Sequence, residues 1–124
     1  MARAAIASCQ AKGFAVSASV VDADGVPIVI LRGDGSQKPP VVEPRKAATA
    51  VAFRAPGSQL EAREKTDPAF AAQIAAQPDR FNAHGGSLPL FIGSKLVGGL
   101  AVADTSHETA DECARDAVSK APLR

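Results

Sequence analysis

The stretch FAVSASVVDADGVPIVILR, Phe14 to Arg32, decides the fold. Its first half alternates: Val16, Ala18 and Val20 fall on one face, and Ser17, Ser19 and Val21 on the other, which is the two-residue period of a strand. Asp22-Ala23-Asp24-Gly25 supplies a turn, and Val26 to Arg32 returns as a second apolar strand, so the stretch is predicted to be a hairpin. The same arrangement recurs near the other end of the chain, where LPLFI (88–92) and KLVGGLAVAD (95–104) flank Gly93-Ser94. Hairpins make antiparallel strands. The sequence therefore predicts an α+β domain spanning residues 1–124, with a single antiparallel sheet flanked by helices and no doubly wound parallel sheet.

The helices lie outside and between the hairpins. Ala2 to Lys12 is alanine-rich and stops at Gly13, as a helix with a glycine at its end does. After Gly33-Asp34-Gly35 and a proline-containing loop, Glu43-Pro44 opens a helix that ends before Pro56. Ser58 and Glu61 have the spacing of a capping box, Asp67-Pro68 starts a further helix towards Pro78, and Thr105-Ser106-His107-Glu108 opens the last. In that last helix Ala110, Cys113, Ala114, Ala117, Val118 and Ala121 recur at helical period. The glycine pair Gly98-Gly99 inside a strand is read as a place where a helix or another backbone comes close.

Composition excludes several function classes. The net charge is +1 with acids and bases nearly balanced, which leaves no footprint for nucleic acid or an anionic membrane. No apolar run approaches the roughly 20 residues needed to span a bilayer, so a cytoplasmic protein is expected. Cys9 and Cys113 have no metal-ligand spacing and are read as buried thiols in a reducing compartment. Large side chains are scarce: there are five Phe, no Trp and no Tyr, which favours gaining further burial by homo-oligomerisation. The four phenylalanines Phe53, Phe70, Phe81 and Phe91 are expected to be mainly core.

Two groups of residues are candidates for chemistry. Arg32 closes a strand and Glu43 opens a helix on which Lys46 and Thr49 share a face; two cations near a helix start suit a ligand carboxylate. The second group is His84-Gly85-Gly86, where the glycines let backbone approach a ligand and the imidazole suits proton transfer. His107, in the first turn of the last helix, is read as a surface residue, and no metal site is predicted.

Four motifs in order resemble the GlcG/HbpS family, which includes haem-degrading-domain proteins and the carboxy-terminal domain of PduO-type proteins. They are Val20-Val21-Asp22-Ala23-Asp24-Gly25 with Arg32 and Asp34-Gly35; Lys46-Ala47-Ala48-Thr49-Ala50 with Phe53; Gly85-Gly86-Ser87-Leu88-Pro89-Leu90; and Val97-Gly98-Gly99-Leu100-Ala101-Val102. Glu43-Pro44 and Ala101-Val102-Ala103-Asp104 depart from the family pattern. The resemblance implies a five-stranded antiparallel sheet of profilin-like or PAS-like form, homo-oligomers, and a haem-related ligand. The expected function is binding of haem, or a similar planar or carboxylated molecule, in a pocket near a subunit interface. Arg32, Lys46, Thr49, Gly85, Gly86 and Pro89 would bind the ligand. The alternative is a lyase or isomerase acting on a small aromatic or hydroxy acid, with His84 and Glu43 as its catalytic residues.

Overall fold

A computed structural model describes residues 1–121 and Leu123. The elements run α1 (Ala2–Ala11), β1 (Ser17–Asp22), β2 (Pro27–Arg32), α2 (Val42–Phe53), α3 (Gly57–Thr66), α4 (Pro68–Ala75), β3 (Ser87–Ile92), β4 (Lys95–Ala103) and α5 (His107–Ser119). Both hairpins form, and β1 also pairs with β4 in antiparallel register, Ser17 opposite Ala103, to give the sheet order β2-β1-β4-β3.

The sheet has four strands among the described residues, not the five that the resemblance implies. The connections outside the hairpins do not extend it: residues 38–41 contain Pro39 and Pro40, which have no N–H to donate, and Gly35 and Gly86 take left-handed backbone at φ 85° and 98°.

The alternation in β1 sorts the two layers. Ala18 and Val20 face α1 and α5, where they pack with Leu88, Leu100 and Val102; Val21 faces α2 and packs with Ala47 and Val51. Gly99 is where α2 comes closest, since a Cβ there would sit 2.8 Å from the Ala47 carbonyl oxygen and from the Val51 side chain. A third cluster joins Leu60, Phe70, Ile74 and Phe81 with Phe53, whose ring lies 5.0 Å from that of Phe70 and 5.3 Å from that of Phe81.

Three local expectations change. Cys9 and Cys113 are not free thiols but a disulfide, because α1 and α5 lie side by side and bring the two Cα atoms to 5.5 Å across 104 residues of sequence. The α2 helix starts at Val42, so Pro44 lies within its first turn, where its missing N–H leaves no bond unmade. The α3 helix begins at Gly57 without a side-chain cap, and Glu61 points elsewhere.

Candidate functional site

The first turns of α2, the end of β4 and the 82–84 segment surround a cleft of about 470 Å³. The α2 wall carries Val42 and Lys46, with Lys38 just before it; Asn82 and His84 face them, and Ala103, Asp104, Thr105 and His107 close the third side. The volume falls in the range of small-molecule sites, about 300–1,000 Å³.

Lys46 is only 2% exposed. Its amine passes between α2 and the sheet to donate a 2.7 Å hydrogen bond to the Val102 carbonyl. That passage requires glycine at position 86, where a Cβ would lie 2.8 Å from Lys46 Nζ and 2.6 Å from the Ala110 Cβ. Burial pulls the Lys46 pKa down to about 8, against the pull of Glu43, Glu61, Asp104 and Asp111. Glu43, one turn earlier, is 1% exposed, and neither of its carboxyl oxygens has a hydrogen-bond partner among the described residues. Burial raises its pKa above the ordinary carboxylate value, and the charge of Asp104 adds to the effect. It sits behind Lys46 and does not line the cleft.

Thr49 positions the opposite wall. Its hydroxyl donates to the Arg45 carbonyl at 2.7 Å and accepts the Asn82 N–H at 2.8 Å, fixing the segment that carries His84. His84 Nδ1 pairs with the Asn82 side-chain oxygen. His107 Nδ1 pairs with Glu61 Oε1 at 2.7 Å, and the same carboxylate oxygen accepts the Gly85 N–H at 3.0 Å. The two imidazole centroids are 4.8 Å apart with the rings tilted by 36°. Burial, reinforced by His107, holds the His84 pKa below its ordinary value, so this ring is neutral at neutral pH. Burial pushes the Glu61 carboxyl up, but the Gly85 N–H and His107 outweigh it and leave the pKa low.

Of the residues singled out in the sequence, Lys46 and His84 line one cleft, with Gly86 packed against the Lys46 amine and Thr49 behind Asn82. Arg32 stands outside it: its Nε and Nη2 donate to the Ser36 carbonyl at 2.8 and 2.6 Å, and Ser36 Oγ in turn donates to Asp104 at 2.8 Å. The Gly85 amide is used by Glu61. Pro89 lies on β3 opposite Gly99 and borders a different cleft with Arg54 and Phe91. His107 is exposed, as its sequence position suggested, but its pairing with Glu61 was not foreseen, and sequence reasoning missed Glu61, Asn82 and Asp104 as parts of the site. Glu61 carried a signal, its capping spacing, but the signal pointed to the helix rather than to a partner 46 positions away at His107.

The family model described as "Haem degrading protein HbpS-like" matches residues 1–119. No curated protein matches the sequence. Among solved structures, the crystal structure of HbpS is 32% identical, with a TM-score of 0.84 over 95% of this chain and 82% of that one. The structure of a PduOC haem complex is 26% identical, with a TM-score of 0.85 over 98% of this chain and 89% of that one. A Klebsiella pneumoniae protein, ORFY, shares the fold at 21% identity, with a TM-score of 0.81 over 95% of this chain and 85% of that one. With its α+β architecture and a family match over nearly its whole length, the chain belongs to the HbpS-like haem-degrading family.

Proposed function

We propose that this protein binds haem, or a similarly planar carboxylated molecule, in the cleft between α2 and the 82–84 segment. The observation that carries this reading is a buried cation, Lys46, facing a neutral imidazole, His84, across one cleft. A carboxylate suits Lys46, with Lys38 at the rim, while Val42 and Ala103 offer apolar contact to a flat ring. Haem would supply iron that an imidazole nitrogen can ligate, and His84 would offer Nε2, since its Nδ1 is engaged by Asn82. Thr49 and Gly86 then serve by position, and Arg32 through Ser36 and Asp104.

The cleft would lie near a subunit boundary. Val42 in its wall is 39% exposed, and the edge strand β2 shows Ile28 and Ile30 at 69% and 43%, with Val26 in the turn before it at 57%, an apolar face suited to a second copy. Among the described residues no helix is long and apolar enough to cross a membrane. The Cys9–Cys113 bridge favours an oxidising compartment over the cytoplasm expected from free thiols.

Titration of the purified protein with haemin tests the reading. A saturable Soret band is expected, weakened by Lys46→Met and changed in position by His84→Ala; absence of a saturable band removes it. A second reading, the lyase or isomerase, has one observation in its favour: Lys46, able to anchor a carboxylate, and His84, able to move a proton, line the same cleft. It predicts exchange of a carbon-bound proton in a small hydroxy or aromatic acid incubated with the protein in D2O.

A further inference from the structure

The two histidines of the cleft come from segments far apart in sequence, the 82–86 loop and the first turn of α5, and each is held in the same way. His84 Nδ1–H donates to the Asn82 side-chain oxygen, and His107 Nδ1–H donates to the Glu61 carboxylate at 2.7 Å. An imidazole whose Nδ1–H is taken by an oxygen acceptor is fixed in one tautomer and one orientation, with the lone pair on Nε2 left outside the bond. This is the arrangement by which outer carboxylates and carbonyls prepare metal-ligating histidines. Here it occurs twice, in rings 4.8 Å apart that line the same cleft.

The surroundings keep the rings together. A Cβ on Gly85 would come within 3.2 Å of both the His107 Cβ and its carbonyl oxygen, so glycine at 85 lets the loop close onto α5. Glu61 ties both sides, accepting the Gly85 N–H with the same oxygen that accepts the hydrogen bond from His107 Nδ1–H.

We infer that His84 and His107 form a two-imidazole site for a borderline divalent metal ion of the zinc type, bound through their Nε2 atoms. Two nitrogens on one tetrahedral zinc, at about 2.0–2.1 Å from the metal, lie roughly 3.3 Å apart, and the two ring centroids here stand 4.8 Å apart. Glu61 is a positioning residue, since its near oxygen is committed to His107 and Gly85. Among the described residues no group of three or more His, Cys, Asp or Glu side chains is arranged to hold a metal. The remaining positions on the ion therefore go to water or to an exogenous donor, and the site is an open one. Imidazole ligands select zinc, copper or nickel over magnesium or calcium. The inference does not depend on haem.

The test is to titrate the purified protein with ZnCl2 at neutral pH while following the imidazole 15N resonances. Both Nε2 signals are expected to move together and saturate at one equivalent, with both Nδ1 signals little changed. His107→Gln is expected to weaken zinc binding at least about ten-fold, and Glu61→Gln by about ten-fold through loss of orientation. The inference is overturned if, in the wild-type protein, only one imidazole or neither responds at one equivalent; this result does not depend on whether a variant folds. It is equally overturned if His107→Gln binds zinc as tightly as the wild type. Haemin titration of the same samples separates the two readings: zinc without haemin binding leaves this one and removes the earlier, and haemin without zinc does the reverse.

Discussion

Lys46 holds an ammonium group almost out of contact with water, and that has a measurable consequence. Its pKa of about 8 in the fold lies below the ordinary 10.5, so between these values the unfolded chain binds the extra proton. Stability should therefore rise as pH increases from 8 towards 10.5, by about 3 kcal/mol at most, and stay flat with respect to this group below 8. Lys46→Met should remove that rise and stabilise the protein at pH 7 by about 1–2 kcal/mol, after the lost hydrogen bond to Val102 is set against the relieved burial. Urea unfolding at pH 7 and pH 10 measures both; equal slopes for variant and wild type would refute the account. The same variant should bind haemin poorly, which is the usual trade between stability and function at a site. The sequence pointed to Lys46 and His84 by residue type and neighbouring glycines. It gave no way to foresee the pairing of His107 with Glu61 or of His84 with Asn82, because those partners are brought in by the fold. Thr49 was placed among ligand contacts for sharing a helix face with Lys46, yet in the structure its hydroxyl is spent on Arg45 and Asn82.

At the scale of elements, strands were legible and their count was not. Alternation in residues 14–22, with apolar runs set around the Asp-Gly and Gly-Ser turns, located both hairpins to within a few residues, and the Gly98-Gly99 reading as close helix approach agrees with α2 lying over Gly99. The fifth strand came from the resemblance alone, with no alternating segment behind it. Gly99→Ala tests the packing of α2 directly. The added methyl meets a backbone carbonyl and a valine at 2.8 Å, so a loss of about 1–3 kcal/mol is expected in thermal or urea unfolding; a neutral result would mean that α2 shifts freely. For the edge strand, Ile28→Lys places a charge at the most exposed large apolar side chain of β2. Sedimentation should then show a smaller species than the wild type with an unchanged circular dichroism spectrum; an unchanged assembly would place the subunit contact elsewhere.

Over the whole molecule, one covalent bond joins the first helix to the last. Residues 104 apart gave no hint of pairing in the sequence, where each cysteine stood alone on an apolar helix face. A loop of about 100 residues is the kind that a disulfide stabilises most, and reduction should lower stability by about 2–4 kcal/mol and the melting temperature by on the order of 10 °C. Melting with and without reductant, beside a Cys9→Ala, Cys113→Ala double variant, checks this; identical melts would show that the bridge contributes nothing. The sheet order carries a different consequence. Since β1 lies between β2 and β4, the first hairpin to leave a ribosome waits for residue 103 before its inner edge is paired. While residues 23 to 103 are being made, the nascent chain presents an apolar strand with open backbone groups, a natural client for a holding chaperone. The sheet then closes as one event when β4 joins it, rather than as a sequence of finished hairpins.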